Sequence, residues 1–287
     1  MDTKELLKKV RKIEIKTKGL SNQVFSGEYH SAFKGKGMAF SEVRNYIPGD
    51  EIRTIDWNVT ARFNEPYVKV FEEERELTVM LIIDISGSES FGSNNQLKKE
   101  FIAEIGAVLS FSATQNNDKI GAILFSDQIE LLIPPKKGRK QILRIIRELI
   151  EFKPNSTKTD IGFALRHFNN IIKKRCIAFL ISDFIDEKFE DALKITAKKH
   201  DLIALRIADE REKELPSIGL SLFVDPETGK EKWMNTNSKR VREKYRNNAL
   251  LREHYANELF KKSNVDFSNI NLQDGYIKPL MQLFKKR

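Results

Sequence analysis

The sequence predicts an α/β fold, a doubly wound, mainly parallel sheet flanked by helices, with an N-terminal extension packed on it. Three observations lead to this reading. Runs such as Leu77–Ile83 and Ile177–Ser182 are apolar at consecutive positions, as strands covered on both faces must be. They alternate with stretches at helical spacing, the pattern of a parallel sheet with helices on its faces. Residues 26–76 break that pattern with glycines, a turn and interleaved charges. The chain therefore divides into an N-terminal helix and irregular β-containing extension (1–76) and an α/β domain with a C-terminal hairpin and helices (77–287).

Taken in order, residues 3–18 read as a basic amphipathic helix. Leu6, Leu7, Val10 and Ile13 share one face among Lys8, Lys9, Arg11, Lys12 and Lys16. Such a face packs on a domain or lies on a membrane surface; the domain is the expected site. Pro48-Gly49-Asp50 is a turn, and the alternation in Tyr67–Glu73 reads as a strand. This segment has too little apolar bulk for its own core, so Trp57, Phe63 and Tyr67 are expected on the α/β domain. Arg44, Asp50, Arg53, Asp56 and Arg62 form either an ion-pair lattice or a recognition surface, and the lattice is the expectation.

From Leu77 the elements follow regularly. Strands are expected at Leu77–Ile83, Lys119–Phe125, Ile129–Ile133, Ile177–Ser182 and Leu202–Ile207. Helices are expected at Leu97–Ser112, Arg139–Glu151, Ile161–Ile172 and Phe189–Lys199. Ser221–Val224 and Glu231–Asn235 flank Asp225-Pro226-Glu227-Thr228-Gly229 as a hairpin. Arg240–Lys262 and Gly275–Lys286 close the chain as helices.

Composition narrows the function. With 40% apolar and 32% charged residues in 287, the chain supports a real core and is not a disordered one. One cysteine, Cys176, rules out an internal disulfide and cysteine-rich zinc sites. His30, His167, His200 and His254 share no short ligand spacing. No apolar run approaches the roughly 20 residues of a membrane span, and no targeting segment is visible, so a cytoplasmic location is expected. The net charge of +9 permits an acidic partner. Nucleic-acid binding would rest on charge alone, without a basic stripe interleaved with aromatics, and is not expected.

Three loops carry the chemistry. An apolar strand runs into Asp84-Ile85-Ser86-Gly87-Ser88; Thr157-Lys158-Thr159-Asp160 precedes a helix; and Phe179–Ser182 ends in Asp183. In a doubly wound sheet, strand carboxyl ends line the ligand crevice. Hydroxyls and carboxylates are hard oxygen donors suited to Mg2+ or Mn2+. With Ser86, Ser88 and Thr159 as neutral ligands, and Asp84 and Asp183 acting partly through water, the cation keeps positive charge and seeks an outside carboxylate. The structural alternative makes the hydroxyl residues turn and N-cap groups.

Asp84, Ser86, Ser88, Thr159 and Asp183 resemble the metal-ion-dependent adhesion site of von Willebrand factor type A domains. Gly35–Asn58, with Ala61-Arg62 and Glu73-Glu74-Arg75, is similar to the bacterial domain of unknown function 58 family. The resemblance runs from about Gly27 to the hairpin around Asp225. It implies a von Willebrand factor A-like domain, with Thr159 rather than Thr157 as the metal threonine. It also implies association with a MoxR-type AAA+ ATPase.

The leading expectation is a non-catalytic, metal-dependent interaction protein that captures an acidic residue of a partner. The competing one is a Mg2+-dependent phosphohydrolase using Asp84. Against it, position 86 holds a serine where such enzymes usually offer a second carboxylate. Because the 84–88 loop is expected at the surface, Asp84→Ala should leave the fold intact.

Overall fold

The computed structural model describes residues 10–14, 16–17, 39–72, 77–87, 98–186 and 188–287. The chain forms two compact units. One is Phe33–Leu77, and the other combines Thr78–Arg287 with the N-terminal residues.

In the smaller unit, β1 (Ala39–Asn45) pairs antiparallel with β2 (Tyr67–Glu72). Asp56 caps α1 (Trp57–Phe63), accepting from the backbone N–H of Asn58 and Val59. Arg44 donates to both oxygens of Asp50, at 2.7 and 2.8 Å, and the Ile47 N–H donates to the same carboxylate. The Arg44 guanidinium, followed by that N–H, holds the Asp50 carboxyl down at about 2. Arg44, Asp50 and Asp56 thus shape the local backbone, whereas Arg53 and Arg62 are exposed. Phe63 packs on Tyr67 inside the unit, with ring centroids 5.5 Å apart. Trp57 and Phe63 themselves remain 67% and 64% exposed.

The larger unit is built on a six-stranded sheet. β3 (Thr78–Asp84), β4 (Lys119–Phe125), β6 (Ile177–Ser182), β7 (Asp201–Ala208) and β10 (Asp266–Asn271) are parallel. β5 (Ile129–Lys136) lies antiparallel outside β4. The spatial order is β10-β7-β6-β3-β4-β5. Every residue of β6 is buried, which is why its sequence is apolar without alternation.

Helices cover both faces. Met80 and Ile82 share a core with α4 (Ile161–Ile171), α5 (Glu190–Lys199) and α7 (Lys239–Lys262). Leu81 and Ile83 face α2 (Lys98–Gln115), where Gly106 lets them and Leu149 of α3 (Arg139–Glu151) approach. Phe179 meets Phe284 of α8 (Ile277–Lys285) edge-on on β6. The short α6 (Glu210–Lys213) follows β7.

The sequence groups the N-terminal helix with the extension. Its described residues belong instead with the α/β unit. Val10 and Ile13 are buried, Lys16 reaches Glu104 at 2.5 Å, and Glu14 pairs with Arg139. The described part of the apolar face is thus spent on packing. Leu6 and Leu7 lie outside the described residues. Among the described residues no helix is long and apolar enough to cross a membrane.

β8 (Leu220–Val224) and β9 (Glu231–Asn235) form the expected hairpin as a separate two-stranded sheet. Sequence reading misses β10, whose run of Asp266-Phe267-Ser268-Asn269-Ile270-Asn271 is mostly polar because the strand is a sheet edge.

Gly121 occupies the irregularity in β4–β5 pairing between Ile120 and Ala122. A Cβ there would sit 2.7 Å from Met80 Sδ, 2.8 Å from the Ile133 carbonyl oxygen and 2.9 Å from Pro135 N. Gly121→Ala is expected to destabilise the fold by about 1–3 kcal/mol through overpacking. The check is a lower urea midpoint at unchanged slope.

Candidate metal centre

The strand order creates one crevice. From β3 the chain crosses to β4 on one side, and from β6 it crosses to β7 on the other. β3 and β6 are neighbours, so their following loops part and leave a gap at their carboxyl ends. Asp84 is the last residue of β3, and Asp183 follows the last residue of β6.

Asp84 is fully buried. Its Oδ1 accepts from the Ser86 N–H at 3.0 Å, and its Oδ2 accepts from the Ser182 hydroxyl at 2.7 Å. Ser86 is 1% exposed. The Gly87 N–H donates to the Thr157 carbonyl at 2.9 Å, which ties the first loop to the second. Thr159 is half-buried and Thr157 exposed. Asp160 caps α4 through the Phe163 N–H. Ser88 lies outside the described residues.

Asp183 is 3% exposed. Its Oδ1 accepts from the Ile185 N–H, and its Oδ2 lies 3.3 Å from Lys98 Nζ. Lys98, wholly buried at the start of α2, also reaches Glu212 at 2.5 Å. Just after Asp183, Phe184 holds a left-handed backbone with φ 57°, unusual for a bulky residue. The Ser182 hydroxyl accepts its N–H.

Four participants were not foreseen from the sequence. Ser182 looks like another strand residue and Lys98 like a basic helix position. Glu212 sits in a run of surface charges. Glu227 is in the hairpin turn, yet its Oε1 accepts from the Thr159 hydroxyl at 2.8 Å, and its carbonyl accepts from the Thr157 hydroxyl at 2.9 Å.

The site is short of positive charge. Burial, then the Asp183 charge, pushes Asp84 up to about 7, against its bonds from Ser86 and Ser182. Burial also raises Glu227, with Asp183, Asp225 and Asp186 adding to the effect and the Thr159 bond opposing it. Among the described residues, no three His, Cys, Asp or Glu side chains group into a metal site. A cation here would have to draw on hydroxyls as well, and Ser86 and Thr159 are such donors. The donor set is all oxygen and fits a hard divalent ion.

A family model described as protein of unknown function DUF58 matches residues 42–255. The chain belongs to the DUF58 family. An uncharacterized Mycobacterium tuberculosis protein is 28% identical over 232 residues, covering 80% of this chain and 73% of the relative. Among solved structures, an aerotolerance-related membrane protein from Bacteroides fragilis, carrying multiple mutations to serines, superposes with a TM-score of 0.52 at 18% identity. That match covers 74% of this chain and all of the other. The conserved hypothetical protein BatB from Bacteroides thetaiotaomicron gives 0.50 at 17% identity, covering 73% and 98%. These likenesses concern the fold alone, an α/β fold with a mainly parallel central sheet flanked by helices.

The structure changes one expectation. Asp84 is not a surface-loop residue, and alanine there would strand the Ser182 hydroxyl and the Ser86 N–H, at about 1–3 kcal/mol. Asparagine keeps an acceptor. Because the folded pKa of Asp84 lies above its ordinary 3.8, the metal-free DUF58 protein holds this proton more tightly than the unfolded chain. The stability that Asp84 contributes is present below about pH 4 and lost as the pH rises toward 7. Urea midpoints of wild type relative to Asp84→Asn, measured in chelator, are expected to fall over that range.

Lys98→Met would leave Asp183 and Glu212 without their shared cation. A loss of about 3–5 kcal/mol is expected in the same assay, as for other broken buried ion pairs.

Proposed function

We propose that this protein is a non-catalytic interaction protein working in the cytoplasm. It binds Mg2+, or Mn2+, through Asp84, Ser86, Ser88, Thr159 and Asp183. The bound ion then captures an acidic residue of a protein partner. The observation that carries this reading is the meeting of three oxygen-bearing loops at the β3–β6 crevice, with carboxylates in excess of cations. Neutral hydroxyl ligands would leave the ion electrophilic, so its remaining position favours an anionic oxygen. The family resemblance implies a MoxR-type AAA+ ATPase, or the client of one, as the partner.

The same loops argue for binding over bond-breaking. Asp84 is held by the Ser86 N–H and the Ser182 hydroxyl. The residue two positions on is a serine, which cannot do the acid–base work expected of a phosphohydrolase.

Mg2+ at about 100 times its dissociation constant should stabilise the protein by about 2.7 kcal/mol. Asp84→Asn should abolish that gain, and pull-downs from native cells should lose the partner in the same variant and in chelator. Sustained Mg2+-dependent hydrolysis of a phosphate ester, absent from Asp84→Asn, would overturn the reading in favour of a phosphohydrolase.

A further inference from the structure

A metal that captures a partner's carboxylate needs an open side, yet Asp84, Ser86 and Asp183 are all at least 97% buried. The tip of the β8–β9 hairpin stands against the same loops. A Cβ on Gly87 would lie 2.3 Å from the Pro226 carbonyl oxygen and 3.1 Å from Thr157 Cβ. Both threonines of the second loop donate to Glu227, Thr157 to its backbone and Thr159 to its carboxylate.

The turn is built to aim that side chain. Asp225 Oδ1 accepts from the N–H of Glu227 at 3.0 Å and of Thr228 at 3.4 Å, and its Oδ2 accepts from the Thr228 hydroxyl at 2.7 Å. Gly229 takes the left-handed φ of 65° that closes the turn. At the tip, Asp225, Pro226, Thr228, Gly229 and Lys230 are exposed, and Glu227 alone is half-buried.

Behind the tip the hairpin is lightly held. Among the described residues it pairs with no other strand, and an isolated two-stranded ribbon is marginal by itself. A groove of about 440 Å3, lined by Phe223 and Met234 on the hairpin and by Leu215 and Tyr245 opposite, runs along it.

We infer that Glu227 is an internal carboxylate ligand for the metal position that the partner's acid takes, so that the β8–β9 hairpin is a latch the partner must displace. This rests on the metal-site reading above. The latch sets the specificity of the site. A tethered carboxylate competes at an effective concentration on the order of millimolar. Weak free acids are therefore excluded, and only a partner that also engages the protein elsewhere opens the site.

The test uses Mn2+ as the metal and acetate as the competing carboxylate, on the full chain. Water-proton relaxation reports bound Mn2+ and the water it keeps. Glu227→Gln preserves an acceptor for the Thr159 hydroxyl but removes the charge, and Glu227→Asp keeps the charge but shortens its reach. Both variants are expected to bind Mn2+ and to respond to acetate at a concentration about tenfold lower than wild type. Mn2+ binding with equal acetate response in all three proteins would overturn the latch and leave the metal site standing. Failure of wild type to bind Mn2+ would overturn the metal-site reading, and the latch with it. If Glu227→Gln does not fold, the comparison of Glu227→Asp with wild type decides alone.

Discussion

β3 and β6 are adjacent, parallel and buried on both faces, and their onward connections leave in opposite directions. The constraint is topological. No crossover helix can cover the space above their ends, so the gap must be closed by loops. The residues that end each strand are held by backbone hydrogen bonds, and at those ends the chain carries Asp84 and Asp183. The depth of the core beneath them, with Met80 to Ile83 wholly removed from water, is what holds the two carboxylates in place and makes Asp84 hard to ionise.

One buried cation offsets part of the charge at the crevice. Lys98 rises from the start of α2 and stands between Asp183 and Glu212. Among the described residues no cation pairs with Asp84, which relies on hydroxyl and backbone donors, and its burial suppresses its ionisation. A lysine fixed in the wall therefore serves Asp183 and Glu212 and leaves Asp84 to its hydroxyl and backbone donors.

The sheet was legible because strands covered on both faces must be apolar at every position, and nothing in Val79–Ile83 or Ile177–Ile181 dilutes that signal. β10 was hidden by its place at the edge, where Ser268, Asn269 and Asn271 are tolerated. β1 and α1 were hidden because their local order comes from Arg44, Asp50 and Asp56, polar contacts with no periodicity. That three oxygen-bearing loops meet was legible from their residue types and from the places of Asp84 and Asp183 at strand ends and of Thr159 before a helix. Lys98 and Glu227 were not, because a lysine at a helix start and a glutamate in a turn are the commonest of surface residues; only the fold shows what stands opposite them.

The close approach of Gly87 to the Pro226 carbonyl has a consequence for how such chains diverge. The Gly87 loop and the hairpin lie about 140 residues apart in sequence, yet neither can vary freely while they touch. A relative with any side chain at this position must hold its hairpin elsewhere or lack it. The identity of one small residue beside the aspartate and serine therefore becomes a readable mark, in sequence alone, of whether the distant turn can close over the site.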